Sequence, residues 1–231
     1  MLQKVNIAVE ATRLLEPFAL VELAHVDDIS VSLFSCQGSV AWHKHLDQDE
    51  LFLVQNGIIT LESDWGTMNL HPDDLVVVPK GVGHRTFSLL WSIAVLMHAR
   101  IMPDRKNGDR RLFAPRGTGS LNKVNVRKLF RHLRDPTTPV EVARIEDAVL
   151  RLGLCLGKTP WHRHPSHDEL AFVQQGQVTL DAALDTEAET ITLGAGELVV
   201  VPRGAIHRLT AARRAAVLFL HHEEVSFAGA A

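Results

Sequence analysis

The sequence predicts an all-β protein that contains two copies of one domain, and two observations lead to this prediction. First, the chain matches itself when it is shifted by 119 residues. Second, each copy contains short, β-branched segments with alternating apolar and polar residues, which Gly, Pro, Asn and Asp interrupt every eight to twelve residues. Such punctuation is typical of an antiparallel sandwich or barrel. Strands and helices do not alternate along the chain, and no glycine-rich phosphate loop occurs, which excludes a Rossmann fold.

The internal repeat defines the domains. Four pairs of segments correspond: 4–7 with 123–126, 36–45 with 155–164, 49–57 with 168–176, and 75–85 with 198–208. The register slips by four residues before the last pair, inside a predicted turn. About half of the matched positions are identical, which indicates duplication of one domain. We therefore predict two domains, residues 1–118 and 119–231, with the boundary in the Gly/Thr/Ser stretch 117–120.

Each copy is predicted to begin with a short amphipathic helix and to continue with strands. Asn125 is suited to cap the second helix, apolar residues follow at helical spacing, and Pro136 ends the run. Asn6 and Pro17 occupy the equivalent places in the first copy. In the second copy the period-two segments that predict strands are 140–156, 170–173, 178–180, 198–201 and 216–220.

Histidines and one glutamate per copy form a repeated pattern. The chain has thirteen histidines. Two of them lie two residues apart in each copy, so on an extended strand both imidazoles project from the same face. A glutamate follows after a short polar turn, and a third histidine follows a turn-forming Pro/Gly segment. The pattern comprises His43, His45, Glu50 and His84 in the first copy, and His162, His164, Glu169 and His207 in the second.

Three neutral imidazoles and one carboxylate form a ligand set for a divalent transition metal such as Fe, Mn, Ni, Zn, Co or Cu. Burying a carboxylate without a cation is costly. The alternative is that these histidines lie on the surface or in turns, but the same spacing occurs in both copies. The sequence therefore predicts up to two metal ions per chain.

Each half resembles a cupin domain. The first motif of that family is similar to Gly38, His43, His45, Glu50 and Gly57, and to Gly157, His162, His164, Glu169 and Gly176. The second motif is similar to Pro79, Gly81 and His84, and to Gly196, Pro202, Gly204 and His207. The resemblance covers nearly the whole chain. It implies a bicupin of the small conserved-barrel type: two tandem jelly-roll barrels, or double-stranded β-helices, each binding a metal through three histidines and one glutamate.

Three features depart from the family pattern. Only four residues separate the first glycine from the first histidine, and neither second motif has the asparagine that often follows its histidine. Asp73 stands where the second motif usually has glycine, while Gly196 keeps it. From Asp73 we expect a distorted strand entrance at the first site.

Other residues have structural interpretations. We expect Cys36 and Cys155 to be small buried residues rather than redox groups. Trp42 and Trp161 are expected to pack in a core or between the barrels, and His167 to be an exposed turn residue rather than a proton shuttle. Four residues are predicted to line the cavities: Phe52, Val54, Thr86 and Phe172. Six histidines have no recognised repeat partner and no assigned role: His25, His71, His98, His132, His221 and His222.

The residues outside the ligand set do not indicate a catalytic mechanism. The chain has no tyrosine, which excludes phenol acid–base chemistry, and no Ser/His/Asp grouping or carboxylate pair is recognisable. Catalysis would depend on the metal. Among cupins that keep all four ligands, this suggests a metal-dependent dioxygenase acting on a small organic substrate, or an isomerase or lyase. We rank the dioxygenase first because open positions beside a redox-active ion suit bidentate substrates and O₂.

Two alternatives stay open. The barrels could bind a small molecule or a sugar without catalysis, since fold does not determine function. One barrel could be active and its twin kept for stability. The duplication predicts either a monomer with two pseudo-equivalent barrels or a homodimer.

Charge and hydropathy limit the other partners. The net charge of −3 argues against a general nucleic-acid binder. Residues 100–134 carry eleven Lys/Arg against two Asp. An acidic partner could dock on this basic strip, but we interpret it as solvated or as packed near acidic residues. The longest apolar runs are too short to span a membrane, the first twenty residues lack a signal-peptide pattern, and two cysteines make no disulfide framework. We therefore expect a cytoplasmic protein that acts on a small molecule.

Overall fold

The computed structural model describes residues 1–100, 119–184 and 188–222. These residues form two eight-stranded antiparallel sheets. The predicted all-β class is confirmed. Neither of the α-helices among the described residues is long and apolar enough to cross a membrane.

The described residues of the first half form one short helix and eight strands. Strand β1 (Val5–Asn6) leads into α1 (Ile7–Glu10), which continues as a 3₁₀ turn (Ala11–Arg13). The following strands are β2 (Leu20–Val26), β3 (Ile29–Ser39), β4 (Glu50–Asn56), β5 (Ile59–Ser63), β6 (Gly66–Leu70), β7 (Asp74–Val78) and β8 (His84–Ala99).

The second half repeats this order. Strand β9 (Val124–Asn125) leads into α2 (Val126–His132). The following strands are β10 (Val140–Ile145), β11 (Ala148–Lys158), β12 (Glu169–Gln175), β13 (Gln177–Ala183), β14 (Ala188–Gly194), β15 (Glu197–Val201) and β16 (Ile206–His222).

The last strand of each half is long and rolls its sheet into a barrel. Strand β8 pairs with β3, β4 and β5, and β16 pairs with β11, β12 and β13. One long strand thus hydrogen-bonds to several others along its length, with register shifts where it changes partners. We call the barrel of β2–β8 barrel one and the barrel of β10–β16 barrel two.

Both predicted helices are present, and asparagine caps each of them. The side chain of Asn6 accepts hydrogen bonds from the backbone N–H groups of Ala8 and Val9. The side chain of Asn125 accepts one from Lys128. These bonds satisfy N–H groups that have no partner within the helix.

The first strand of each copy pairs with the opposite barrel. Strand β1 pairs with β15 of barrel two, and β9 pairs with β7 of barrel one. Asn6 Nδ2 donates to Glu197 Oε1 at 3.2 Å, and Asn125 Nδ2 donates to Asp74 Oδ1 at 2.7 Å. The repeated Lys-Val-Asn segment is therefore an arm that each half extends to the other. The predicted division into residues 1–118 and 119–231 stays a prediction, because residues 101–118, with much of the basic strip, lie outside the described residues.

Three clusters of buried apolar residues form the core. One lies between the barrels and takes side chains from both, including Leu33, Leu51, Leu150 and Leu218. The other two lie inside the individual barrels. Phe172 belongs to the shared cluster, so its predicted place in a cavity is wrong: it is three residues from Glu169, and side chains alternate along a strand.

Asp73 does not distort barrel one. Its φ of 69° matches the φ of 80° at Gly196. The backbone N–H of Asp73 donates to Val54 O at 2.9 Å, and that of Gly196 donates to Val173 O at 2.9 Å. Since Asp is among the residues that tolerate the left-handed region, the two strand entrances have the same backbone. The distortion expected from the sequence is therefore wrong.

Candidate metal centres

The first and last histidines of each group are joined through their backbones. His43 and His84 exchange two N–H···O bonds of 3.0 and 2.8 Å, and His162 and His207 exchange two of the same lengths. The ring centroids consequently lie 4.4 Å apart in barrel one and 4.2 Å apart in barrel two. This bridge brings the start of β8 or β16 to the loop that carries the first histidine, although the two segments are far apart in sequence.

The four residues singled out in each copy come together in one group. Each group offers three imidazole nitrogens and one carboxylate oxygen, and these atoms all lie within 4.8 Å of one another. The glutamate and the last histidine are buried in both barrels: Glu50, His84, Glu169 and His207.

Hydrogen bonds to backbone carbonyls fix the imidazole tautomers. Nδ1 of His43 lies 2.9 Å from Ala41 O, and Nδ1 of His84 lies 3.1 Å from Val82 O. A carbonyl only accepts, so Nδ1 must carry the proton. His162 and His207 make the same contacts, at 3.0 Å each. In the neutral ring Nε2 is then an acceptor, and in His84 and His207 it faces the glutamate.

In each group two hydrogen-bond acceptors face each other, and this arrangement fits a bound cation. Nε2 of His84 lies 2.9 Å from Oε2 of Glu50, and Nε2 of His207 lies 2.9 Å from Oε2 of Glu169. Two acceptors at this distance need a proton or a metal ion between or beside them. Two ligand atoms at right angles on an ion with bonds of about 2.1 Å lie about 3.0 Å apart. The observed separations therefore agree with both atoms binding one ion.

The remaining histidine of each group lies slightly farther from the carboxylate. Nε2 of His45 is 3.6 Å from Glu50 Oε2, and Nε2 of His164 is 3.4 Å from Glu169 Oε1. These separations are compatible with atoms that share an ion. The donor set of three imidazoles and one carboxylate suits a divalent transition metal.

The electrostatics keep both carboxylates ionised. Burial raises the pKa of Glu50, but the adjacent His45 and His84 side chains outweigh burial and lower the pKa to about 2. Glu169 is affected in the same way by His164 and His207, and its pKa is also about 2. A permanently anionic oxygen at each site favours a cation.

Barrel two has a cavity that reaches its metal group. The cavity has a volume of about 550 Å³, and three of the four ligands line it: His162, His164 and Glu169. Arg151, His221 and Phe219 also line it. The open side of the second metal group therefore faces a space of small-molecule size.

Two histidines without an assigned role prove to be repeat partners. The register of the last matching segments, continued along β8 and β16, aligns His98 with His221. Nδ1 of His98 lies 3.0 Å from Ala99 O, and Nδ1 of His221 lies 2.9 Å from His222 O. His98 pairs with Glu50 across the strands. The prediction that they have no repeat partner is therefore wrong, because the shifted register continues beyond residue 208 to the ends of β8 and β16.

The two tryptophans are not in a core. Trp42 is 50% exposed and Trp161 is 49% exposed, so the predicted burial is wrong. The indole of Trp42 covers Gly83, and the guanidinium of Arg208 lies 4.5 Å from the ring centroid of Trp161. Burial would follow if each tryptophan alternated with the adjacent histidine along a continuous strand, but that histidine lies in an isolated bridge.

The cysteines are buried, as predicted. Burial raises the pKa of the Cys36 thiol. Burial and the nearby Glu169 carboxylate raise the pKa of Cys155 to about 12. Both thiols are therefore protonated near neutral pH and behave as small apolar groups.

The other predicted cavity residues lie inside barrel one. Phe52 and Val54 belong to its interior cluster, and Thr86 is buried. The ring of Phe52 lies 6.4 Å from that of His84.

His167 is half-buried at the junction of the two halves, and its predicted exposure is wrong. Its Nδ1 lies 3.7 Å from Asp27 Oδ2, and its ring lies 5.2 Å from that of His222. It therefore contacts the turn between β2 and β3 of the other half.

Comparison with known proteins agrees with this fold. The chain is 26% identical over 100 residues to YdbB of Bacillus subtilis (strain 168), across 43% of this chain and 86% of that protein. A cupin 2 conserved barrel domain protein from Leptotrichia buccalis superposes with a TM-score of 0.69 and 12% identity, over 96% of both chains.

Oxalate decarboxylases share the fold. The Lactobacillus farciminis enzyme, solved as a formate complex, has a TM-score of 0.56 and 11% identity, over 96% of this chain and 86% of that one. The Bacillus subtilis enzyme, which has Mn(II) centres, has a TM-score of 0.54 and 11% identity, over 98% and 74%. The cupin domain family itself matches residues 33–89 and 157–222, one region in each barrel. The chain therefore belongs to the cupin family, as a bicupin with one group able to bind a metal in each barrel.

Proposed function

We propose that the protein is a metal-dependent enzyme that acts on a small organic substrate in barrel two, with dioxygenase chemistry. The observation that carries this proposal is the cavity of about 550 Å³ that His162, His164 and Glu169 line. A site that only stabilised the fold would not need an open volume beside its ligands.

The ligand set supports metal-centred chemistry. Three imidazoles and one carboxylate leave positions free on an octahedral ion. A redox-active divalent ion held by these residues would supply Lewis acidity and electron transfer with O₂. The protein side chains hold three neutral donors and one anion in place.

The walls of the cavity suit a small organic molecule. Its volume lies within the range of about 300–1,000 Å³ that is common for ligand sites. Leu156, Leu209 and Phe219 supply apolar surface, and Arg151 and Lys158 supply charge. Cys155 also lines the cavity, but its pKa of about 12 argues against a thiolate nucleophile.

We also propose that one chain is the minimal active unit and that its partner is a small molecule. The exchanged strands β1 and β9 and the apolar cluster shared by both barrels support this proposal. Within one chain they supply an interface of the kind that a dimer forms between chains. Light scattering during size exclusion is expected to give a mass of about 25.6 kDa; twice that mass would favour the homodimer.

Oxygen consumption tests the proposed reaction. The metal-free chain is reconstituted separately with Fe(II), Mn(II), Ni(II) and Zn(II), and each form is incubated with a panel of small organic acids, alcohols and ketones. We expect at least one compound to be consumed together with O₂ by a redox-active form and not by the Zn(II) form.

Matched variants locate the activity. His162→Ala with His164→Ala is expected to abolish oxygen consumption, and His43→Ala with His45→Ala to retain it. Conversion of a compound without O₂ would instead indicate an isomerase or lyase. Binding without conversion by any form would indicate a small-molecule binding protein.

A further inference from the structure

We propose that a groove beside α2 binds a small molecule that carries two or more phosphate groups. Four arginines line this groove, which we call the arginine groove: Arg127, Arg131, Arg134 and Arg214. Its volume is about 650 Å³, and none of the residues that line it lines the cavity of barrel two. The inference therefore goes beyond the proposed function and does not depend on it.

Two elements bring the arginines together. The basic strip of residues 100–134 supplies three of them: Arg127 and Arg131 lie one turn apart on α2, and Arg134 follows the end of that helix. Arg214 lies on β16 of barrel two, and its guanidinium stands 5.2 Å from the ring centroid of Phe130. The helix thus supplies one side of the groove, and the barrel supplies the other.

Backbone carbonyls hold two of the guanidiniums in place. Nη1 of Arg134 donates to the carbonyl oxygens of Arg131 and Leu133, at 2.6 and 3.0 Å. Nη2 of Arg214 donates to those of Phe130 and Leu133, at 3.4 and 3.1 Å. These acceptors are neutral, and each guanidinium uses only one of its nitrogens for them. Both side chains are therefore fixed while the rest of each fork can bind a ligand.

Carboxylates compensate little of the charge in the groove. Nε of Arg127 lies 2.8 Å from Oδ2 of Asp73. Among the described residues, the other three arginines form no ion pair with a carboxylate. Asp135 follows Arg134 in sequence, but its carboxylate accepts hydrogen bonds from Thr137 and Thr138. Since like charges repel, positive charges gathered around one groove favour a bound anion.

A buried amide gives a second, independent indication of a ligand. The side chains of Gln174 and Gln175 also line the groove. Nε2 of Gln174 is buried and has no hydrogen-bond partner in the part of the chain that the structure describes. A buried N–H donor without a partner costs free energy. An anion bound among the arginines would offer an acceptor to this amide.

The shared fold does not require this charge. Under the repeat, the first copy has an uncharged residue at each of the four places: Ala8 for Arg127, Thr12 for Arg131, Leu15 for Arg134 and Trp91 for Arg214. Gln55 corresponds to Gln174, and its Nε2 donates to the carbonyl oxygen of Leu53 at 3.4 Å. The arginines and the unpartnered amide are therefore specific to the second copy.

An exchange of aromatic residues accompanies Arg214. In the first copy, Trp91 on β8 packs against the apolar cluster shared by both barrels, and the matching helix position is Ala11. In the second copy, Phe130 on α2 belongs to this cluster, and Arg214 stands at the place of Trp91. The strand supplies the aromatic ring in one copy and the helix supplies it in the other. Only the second arrangement places a guanidinium at the surface.

The donors of the groove suit phosphate groups. A guanidinium pairs with two phosphate oxygens at once, which makes arginine well suited to phosphate recognition. A phosphate group carries about two negative charges near neutral pH, so a molecule with two such groups matches several arginines. The volume of the groove lies within the range of about 300–1,000 Å³ that is common for small-molecule sites. These properties favour a small phosphorylated molecule over a nucleic acid or an acidic protein.

Calorimetric titration of the full chain, as purified, tests the inference. The probes are inorganic phosphate, diphosphate and citrate, a carboxylate anion that also has several charges. We expect diphosphate to bind more tightly than phosphate and more tightly than citrate. Raising the KCl concentration should weaken diphosphate binding, because salt screens exposed charges.

Single substitutions locate the site. Arg131→Gln and Arg214→Gln are each expected to weaken diphosphate binding about 10- to 100-fold, the range for a lost charge-assisted hydrogen bond. Arg131 is exposed, so its variant should fold even if Arg214→Gln, which loses two bonds to α2, does not. Arg213→Gln removes the same charge at an exposed position outside the groove and should leave binding unchanged.

A metal-free sample separates the arginine groove from the metal centres, because diphosphate also binds divalent ions. The chain is treated with chelator, dialysed and titrated again with diphosphate. We expect binding to persist after metal removal and to remain sensitive to Arg131→Gln.

Several results would overturn the inference. They are that neither phosphate nor diphosphate binds, that citrate binds as tightly as diphosphate, or that binding disappears with the metal. Equal diphosphate affinities of the parent, Arg131→Gln and Arg214→Gln would overturn it as well, as would an equal loss in Arg213→Gln and Arg131→Gln. The proposed function can fail separately, because oxygen consumption depends on the metal group of barrel two and diphosphate binding does not.

Discussion

Nε2 of His84 lies 2.9 Å from Oε2 of Glu50, and His207 and Glu169 repeat this distance in the second barrel. The Nδ1 atom of each histidine is committed to a backbone carbonyl. Two acceptor atoms therefore face each other in two buried places. A divalent cation resolves both contacts, and the predictions below start from this relationship.

Metal loading is expected to stabilise the fold. A cation that binds only the folded chain adds about 2.7 kcal/mol at a free concentration one hundred times its dissociation constant. The melting temperature of the chelator-treated chain should rise when Mn(II) or Zn(II) is added. His84→Ala with His207→Ala should remove most of this rise, whereas His132→Ala, at an exposed position, should preserve it. An equal rise in melting temperature for the parent, the double variant and His132→Ala would contradict the assignment of His84 and His207 as metal ligands.

The exchanged arms are expected to contribute to stability. Asn125→Ala removes a helix cap, worth about 1 kcal/mol, and a hydrogen bond to buried Asp74, worth about 1–3 kcal/mol. Urea denaturation should show a lower free energy of unfolding than for the parent. Asn122→Ala, at an exposed position, is the control and should change little. If both substitutions changed the free energy of unfolding equally, the contacts of Asn125 would make no specific contribution to stability.

A buried histidine at the junction of the halves predicts a dependence on pH. A hydrogen bond with Asp28 raises the pKa of His222, which also lies 3.2 Å from Asp147. A raised pKa adds stability that is complete below the unfolded value of about 6.5 and is lost as pH rises through the folded value.

Urea midpoints at several pH values test this dependence. The difference in unfolding free energy between the parent and His222→Ala should be largest at pH 5.5–6 and shrink as pH rises above 6.5. A difference that grows with pH would reverse the predicted sign.

The buried thiols are expected to be unreactive. The pKa of about 12 at Cys155 leaves almost no thiolate at pH 8. Iodoacetamide should label Cys36 and Cys155 only after denaturation, as judged by mass spectrometry. Rapid labelling of the native chain at either position would contradict the burial described above.

Much of this structure could be predicted from the repeat. The duplicated motif identified both groups of three histidines and one glutamate, because spacing on strands and turns limits where those side chains project. Asn6 and Asn125 identified the helix starts, since the cap is a local interaction. Predictions failed where distant contacts decide the outcome. The partners of the two Lys-Val-Asn arms lie in the opposite barrel, and the sequence contains no local signal for them.

The other incorrect predictions also have physical causes. Trp42 precedes a histidine that lies in an isolated bridge, so strand parity does not apply to it. Asp73 replaces the usual glycine of the second motif, but it adopts the backbone conformation of Gly196. His221 contacts Arg151 and His164, which are far from it in sequence, so its surroundings have no local signal.

Metal analysis of the parent chain and two single variants tests the central claim most directly. The chain is purified without chelator, and its metal content is measured by inductively coupled plasma mass spectrometry together with that of His84→Ala and His207→Ala. We predict two equivalents of a divalent transition metal in the parent and about one in each variant. No bound metal in the parent, or two equivalents retained in both variants, would contradict the assignment of a metal to each barrel.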